Sequence, residues 1–287
     1  VGTLEKQEIT MGLRIATNIA SQSVQKNLKE VSNAGNSSLE KLSSGKRITK
    51  AADDAAGLAI STNLEAQTKG LRQATRNAND GISLVQTAEG GLAETSNILV
   101  RLRELTIQAA SDTVGDAERG FLNKEYQQLS TEVDRISEST TFNGSQLLNG
   151  KGKGSMDFQV GAFAGEQNKI TFDSGETDAS ASSIGIGGSG ISNKDDALSA
   201  ISNVDAAIEK VSGQRANLGS IQSRLTSTVK NLETQTINQD SARSVIQDVD
   251  VAEASASLAS NNVVKNAAVS TLAQANGIPN AALRLIS

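Results

Sequence analysis

The chain has 287 residues, 37% of them hydrophobic but only 2% aromatic, with no His, Cys or Trp and a single Pro. That is enough apolar material for a core, but without histidine the commonest general base and metal ligand is missing, and without cysteine so are thiolate chemistry and disulfides. A net charge of -5 and a pI near 5.0 argue against a phosphate-binding surface, so nucleic acid is not an expected partner.

No stretch reaches the roughly 18 consecutive apolar residues of a spanning helix, and the N-terminal region lacks the basic, apolar, small-residue order of a Sec signal. Along the chain, Leu13 to Asn36 is apolar and rich in small residues, Asn and Ser, and reads as a helix with Val24, Leu28 and Val31 on one side. Leu64, Leu71, Ala78, Val85, Leu92 and Leu99 then fall seven apart, and Ala74, Ile82, Ala88 and Leu102 widen the seam into a stripe, which predicts one long helix. Leu64, Leu71, Val85, Leu92 and Leu99 are its expected core residues. Gly70, Gly81, Gly90 and Gly91 interrupt it at about 1 kcal/mol each against Ala, so a neighbour approaching at close range is expected to compensate.

Leu122, Tyr126, Leu129, Val133 and Ile136 predict a second helix by their spacings of four and three. Between Thr140 and Ser192 the period changes. Met156 to Val160 and Lys169 to Phe172 alternate as strands across a Gly-bearing turn and predict a β-hairpin, whereas Ser174 to Ser192 is poor in large apolar residues and reads as a surface loop. From Ala197 to about Thr236 a third stripe carries Ile201, Val204, Ile208, Val211, Leu218, Leu225, Val229 and Leu232. Burying each Leu or Val of such stripes contributes about 1.5 to 3 kcal/mol, which suffices to hold a helical bundle. Ala254 to Ser287 is again apolar and small, with only Lys265 and Arg284 charged, and places Val263, Val264, Ala267, Ala268 and Leu272 on a helix. Periodicity alone leaves open whether the two ends complete the same bundle or pair separately.

Candidate chemistry has plainer readings. Gly185, Gly187 and Gly190 spell G-x-G-x-x-G with Asp205 beyond them, but no βαβ unit surrounds them, so they read as loop. Gly45-Lys46 is followed by Arg47 and is not a P-loop. The pairs Asp53/Asp54, Asp195/Asp196 and Asp248/Asp250 sit where helices begin or turn and read as caps rather than metal or acid-base groups.

Ser37 to Ile48, followed by Asp53 to Ile60, closely resembles the N-terminal signature of bacterial flagellins. Gln73 to Ser83 and Arg101-Leu102-Arg103-Glu104-Leu105 continue the match, and Leu218 to Leu225, Ser241 to Ser244 and Leu272 to Pro279 match the other end. The similarity covers Met11 to about Phe172 and about Ala197 to Ser287. Val1 to Thr10 precede the usual start, Val251 stands where a Tyr is often found, and Ser287 replaces a frequent terminal Arg.

The resemblance implies a mainly α fold: a long helical coiled-coil bundle forming a rod with a small β-hairpin, its terminal arms paired as an inner helical domain. It implies an atypical extension over 1–10, an N-terminal arm and linker over 11–52, and a bundle with hairpin over 53–172. A short surface loop over 173–192 would replace the outer domains of longer relatives, with a returning bundle helix over 193–240 and a C-terminal arm over 241–287. Such a protein is a structural subunit that self-assembles into the bacterial flagellar filament for swimming motility. It is not an enzyme, has no cofactor, is extracellular and is exported without a Sec signal. An export chaperone, a cap protein and the innate immune receptor that senses flagellin are implied partners, the last through the positions matching Arg101, Leu105 and Glu125, which also serve filament packing. The alternatives are a flagellin-like hook-filament junction protein and a helical-rod binding module. Because the stripes of both arms are small, each arm is expected to be disordered in the monomer and helical only in the polymer.

Overall fold

The structure, a computed structural model, describes residues 17–286, with side chains through Gly277; Val1 to Thr10, the start of the N-terminal arm and Ser287 lie outside the described residues. It contains helices α1 (Ile19–Ser44), α2 (Ala55–Ala110), α3 (Asp116–Ser139), α4 (Ala181–Ile184), α5 (Lys194–Gln247) and α6 (Val251–Ile286). Two small antiparallel ribbons complete it, β1 (Thr141–Phe142) with β2 (Ser145–Gln146) and β3 (Ser155–Gln159) with β4 (Lys169–Asp173). Two compact units result: a terminal unit of residues up to Leu64 together with Ser241 onward, and a central unit of Glu65–Asp240.

The central unit is organised by two seams. On α2 the positions Leu71, Ala74, Ala78, Gly81, Val85, Ala88, Leu92, Thr95, Leu99, Leu102, Thr106 and Ala109 alternate three and four residues apart, and all are buried. On α5 the same alternation runs through Ala197, Ala200, Val204, Ala207, Val211, Gln214, Leu218, Ile221 and Leu225, again all buried. This spacing holds one face of a 3.6-residue helix toward its partner over many turns. The two helices run antiparallel, as Lys194–Asp112 (2.7 Å), Asp205–Arg103 (2.6 Å), Arg215–Glu89 (2.8 Å) and Asp240–Arg72 (2.6 Å) record in sequence. Tyr126 and Val133 of α3 join the same core. Leu71, Val85, Leu92 and Leu99 are core residues, at most 3% exposed, whereas Leu64 is half-buried and belongs to the terminal unit.

Of the four glycines expected to interrupt the α2 stripe, three are sites of close approach. A Cβ at Gly91 would stand 2.6 Å from Leu148 and 2.7 Å from Thr140, one at Gly81 would stand 3.2 Å from the Phe158 ring, and one at Gly70 would stand 3.4 Å from Ala162. At Gly90 nothing lies within 4 Å. Thus the hairpin and the segment after α3 lie on α2 because α2 has no side chain there. The hairpin pairs Met156 with Phe172 and Phe158 with Ile170, and buries Ile170 and Phe172.

Residues 173–192 differ from the expected surface loop. Ala179, Ala181, Ile184, Ile186 and Ile191 are all under 5% exposed and belong to the main core. The segment is a packed strap whose backbone is satisfied by side chains of its neighbours. Asp134 accepts from Ala181 N–H (2.7 Å), Asn123 accepts from Ile191 N–H (2.9 Å), and Gln127 and Gln214 donate to Ser189 O (2.8 Å) and Asp178 O (2.9 Å). Isolated isoleucines between glycines follow neither the helical nor the strand period, so their inward direction is set by these bonds.

In the terminal unit α1 and α6 pair antiparallel, with Asn18 beside Ala275, Gly35 beside Asn261, and Lys46 bridged to Asp248. The paired side of α6 is Ala254, Leu258, Asn261, Ala268, Leu272 and Ala275; Val263, Val264 and Ala267, expected on that side, are exposed. Both arms are helical in the single chain, where each finds a partner in the other.

Replacing Leu92 with Ala is expected to cost about 2 to 5 kcal/mol, as a buried Leu truncated in a packed seam does. Gly91→Ala should destabilise the protein through the contact with Leu148, while Gly90→Ala should stabilise it by about 0.5 to 1 kcal/mol. Thermal denaturation of the three variants checks the order; equal effects at Gly90 and Gly91 would contradict the close-approach account.

Candidate functional site

The carboxylates that invite a chemical reading are structural. Asp54 accepts from Gly57 N–H (2.8 Å) and caps α2, Asp250 accepts from Ala252 N–H (2.8 Å) and Glu253 N–H (3.2 Å) and caps α6, and Asn193 caps α5 ahead of Asp195 and Asp196. Asp53 accepts from Thr49 N–H, Thr49 Oγ1 and Lys50 N–H, all within 3.0 Å, and these bonds hold its carboxyl below its ordinary pKa. Among the described residues no group of three His, Cys, Asp or Glu is placed to hold a metal ion, and no helix is long and apolar enough to cross a membrane. Gly185 ends α4 in a left-handed conformation (φ 86°), and Asp205 is engaged by Arg103, so the G-x-G-x-x-G spacing builds a turn.

What the molecule offers instead is surface. In the terminal unit the corner after α1 and the corner after α5 are stapled together. Gly45 ends α1 at φ 70°, Arg47 N–H donates to Gln247 O (2.7 Å), and Val249 N–H donates to Gly45 O (3.1 Å). The Arg47 guanidinium donates twice to Ile246 O, at 2.5 and 3.1 Å, covering a carbonyl at the end of α5. Ile48 is buried beneath the corner, and a Cβ on Gly57 would stand 2.8 Å from it. From this corner the arms extend as a pair that buries little: Asn18 donates to Ala275 O (2.8 Å) and Ser21 Oγ donates to Asn276 Oδ1 (2.7 Å). Large apolar side chains stay in water on both arms, among them Ile19, Leu39, Val251, Val263 and Val269, each above 50% exposed. On α6 these exposed apolar side chains stand on a helix whose described charged side chains are only Glu253 and Lys265.

The second surface lies on the central unit. Arg101 donates to Glu125 through Nε (3.1 Å) and Nη2 (2.8 Å) and to Glu104 through Nη1 (2.9 Å), with all three side chains about half in solvent. Leu105 is 1% exposed and faces the core. Of the three matched positions, therefore, Arg101 and Glu125 lie on the surface and Leu105 lies in the core. Sequence reasoning passed over Arg119. It is 8% exposed, and its guanidinium donates to Ala109 O (2.8 Å) and Ser111 O (3.0 Å) while pairing with Asp116 (2.9 Å). It thereby satisfies carbonyls at the end of α2 and places a cation at the negative pole of that helix. An Arg a few residues into the next helix, after a short polar turn, was the available signal.

The chain matches the bacterial flagellin N-terminal helical region over residues 15–153 and the bacterial flagellin C-terminal helical region over 201–286, so β3, β4 and the strap lie between the two matches. It is 42% identical to a flagellin of Halalkalibacterium halodurans over 94% of this chain and 98% of that one. It is 39% identical to a flagellar filament core protein of Brachyspira hyodysenteriae over 95% of this chain and 99% of that one. Among solved structures, the crystal structure of Bacillus cereus flagellin aligns with a TM-score of 0.50 at 31% identity, covering 58% of this chain and 94% of that chain.

The two stabilising devices respond differently to perturbation. Arg119→Ala should cost about 2 to 3 kcal/mol, because charged hydrogen bonds to buried carbonyls are lost, and Arg119→Lys should recover only part of it. The Asp53 carboxyl is depressed in the fold, so its contribution to the corner is present above the ordinary value of 3.8 and is lost as pH falls through a lower folded value. Following the Thr49 and Lys50 amide resonances with pH should give a midpoint below 3.8 that Asp53→Asn abolishes. A midpoint above that value would contradict the capping geometry.

Proposed function

Because the chain belongs to the bacterial flagellin family, as a structural and not an enzymatic subunit of the extracellular flagellar filament, we propose that its paired terminal arms are the polymerising element. The central unit, in this reading, folds on its own core. One observation carries the assignment. On α6 the valines Val263, Val264 and Val269 are 69%, 46% and 51% exposed, while the charged side chains described on that helix are only Glu253 and Lys265. A helix pair left this apolar gains by packing against further helices, and small side chains let many of them approach closely without burying unpaired ions.

The domain assignment follows from the same reading. Residues 11–52 and 241–287 serve as the two arms of an inner domain, the bundle and hairpin over 53–172 with the returning helix over 193–240 form the second part, and 173–192 occupies the place of the outer domains of longer relatives. Export without a Sec signal, a chaperone that covers the apolar arm before export and a cap protein that guides addition at the tip fit a chain with one Pro, no Cys and exposed valines. The exposed Arg101–Glu125 pair supports recognition of the free subunit by the innate immune flagellin receptor, with Leu105 acting from beneath. Near-full-length relatives named as flagellin or filament core protein favour this reading over the junction protein and the binding module.

Deleting Ala254 to Ser287 should leave the central unit folded, with its thermal transition little changed, and abolish seeded filament growth seen by electron microscopy. Continued growth of the truncated chain would refute the role of the arms. Arg101→Ala should lower receptor signalling by the soluble subunit in a cell reporter assay without unfolding it; unchanged signalling would refute receptor recognition at this pair.

A further inference from the structure

The central unit carries a knob and a groove at opposite ends. Phe121, in the second turn of α3, is 68% exposed in a chain that has only five Phe and one Tyr. Lys124 Nζ lies 5.7 Å from the centroid of its ring, and Glu118, also exposed, stands one turn before it on the same face. The groove lies between α2 and α5, where Arg72, Thr75, Arg76, Glu233, Thr236 and Ile237 line about 440 Å³. Its walls are largely carbon, because the hydroxyls of Thr75 and Thr236 are turned to the carbonyls of Leu71 (3.0 Å) and Leu232 (2.7 Å), and Ile237 is 65% exposed. Arg72 is fixed by Asp240 at 2.6 Å, and Arg76 is steadied by Gln73 at 3.1 Å. Among the described residues Glu118, Lys124 and Glu233 form no ion pair.

Knob and groove are too far apart to meet in one copy. Phe121 lies one helical turn from Glu125, which is bonded to Arg101, and Arg101 is 29 residues beyond Arg72 on the same helix, about 44 Å at the α-helical rise. Two unlike surfaces at opposite ends of one unit join in an open head-to-tail series, which is how a heterologous interface makes a filament.

We propose that Phe121 of one copy enters the groove between α2 and α5 of the next copy. The inference rests on the filament-subunit reading and adds which face meets which. The ring packs on Ile237 and the two threonine methyls, with the Arg72 and Arg76 guanidiniums offering cation–π contact. Lys124 meets Glu233 and Glu118 meets Arg76, so both rims carry opposite charge and fix the register.

The native chain has no Cys, so introduced thiols are unique. Filaments grown from a mixture of Ala117→Cys and Ile237→Cys subunits should give a covalent dimer with a short bismaleimide, and a mixture of Ala117→Cys with Thr87→Cys should not. Filaments that form without the 117–237 dimer overturn the contact and leave the subunit reading intact. Failure of the unmodified chain to polymerise on seeds overturns both. In parallel, Phe121→Ala with unchanged helicity should raise the critical concentration for growth about tenfold or more. Growth lost in Lys124→Glu should return when Glu233→Lys is combined with it; wild-type growth of Phe121→Ala, or no rescue by the paired reversal, counts against the contact.

Discussion

The constraint on which the structure depends is the unbroken alternation of three and four residues that keeps one face of α2 against one face of α5 from Leu71 to Ala109 and from Ala197 to Leu225. A single insertion on either helix would rotate every later seam residue away from its partner. The remaining parts of the central unit attach to features of that seam. Gly81 and Gly91 leave room for Phe158 and Leu148, so the hairpin and the segment after α3 lie directly on the α2 backbone. Gln214 occupies a seam position with an amide rather than a hydrocarbon, and its Nε2 reaches the carbonyls of Glu176 and Asp178, so a polar seam residue sets the position of the strap. Arg119 closes the far end by covering the carbonyls of Ala109 in the last turn of α2 and of Ser111 just after it.

The terminal unit follows the same spacing with different side chains, and the consequence is opposite. Its α1 seam mixes Ser21, Gly35 and Ser38 with the half-buried Val24, Leu28, Val31 and Leu42, its α6 seam mixes Ala254, Asn261, Ala268 and Ala275 with the half-buried Leu258 and Leu272, and small residues thus interrupt both. Residues of this size bury little area, while ordering backbone costs about 1 to 2 kcal/mol per residue. The arm pair is therefore registered by polar contacts, Asn18 to Ala275 and Ser21 to Asn276, and by the staple at Arg47, more than it is held by a core. A folded element with its apolar residues still in water is suited to be finished by other copies. In the proposed reading, the arms are where the single chain leaves its core incomplete.

Much of this was legible in the sequence because it is periodic. The α2 heptad, the α5 stripe and the strand alternation of Met156 to Val160 against Lys169 to Phe172 each state a period and a face, and the structure uses those faces. The capping roles of Asp54 and Asp250 were legible for the same reason, since their position just before an apolar-periodic run is local chemistry. The strap was not legible. Ile184, Ile186 and Ile191 have no common period, and their burial is decided by side chains of α3 and α5 that are distant in sequence. The paired face of α6 was misread because Val263 and Val264 outweigh Ala268 and Ala275 in any hydrophobic count, while close helix pairing favours the smaller residues.

The central claim is that the seam stabilises the isolated chain and that neighbouring copies stabilise the arms. Hydrogen exchange followed by mass spectrometry, on monomer and on filament, tests it most directly, because it reads each helix separately. The account predicts that α2 from Ala78 to Ala109 and α5 from Ala197 to Leu225 are strongly protected in both states, and that α1 and α6 exchange quickly in the monomer and slowly in the filament. Arms as well protected in the monomer as the two seams would contradict it.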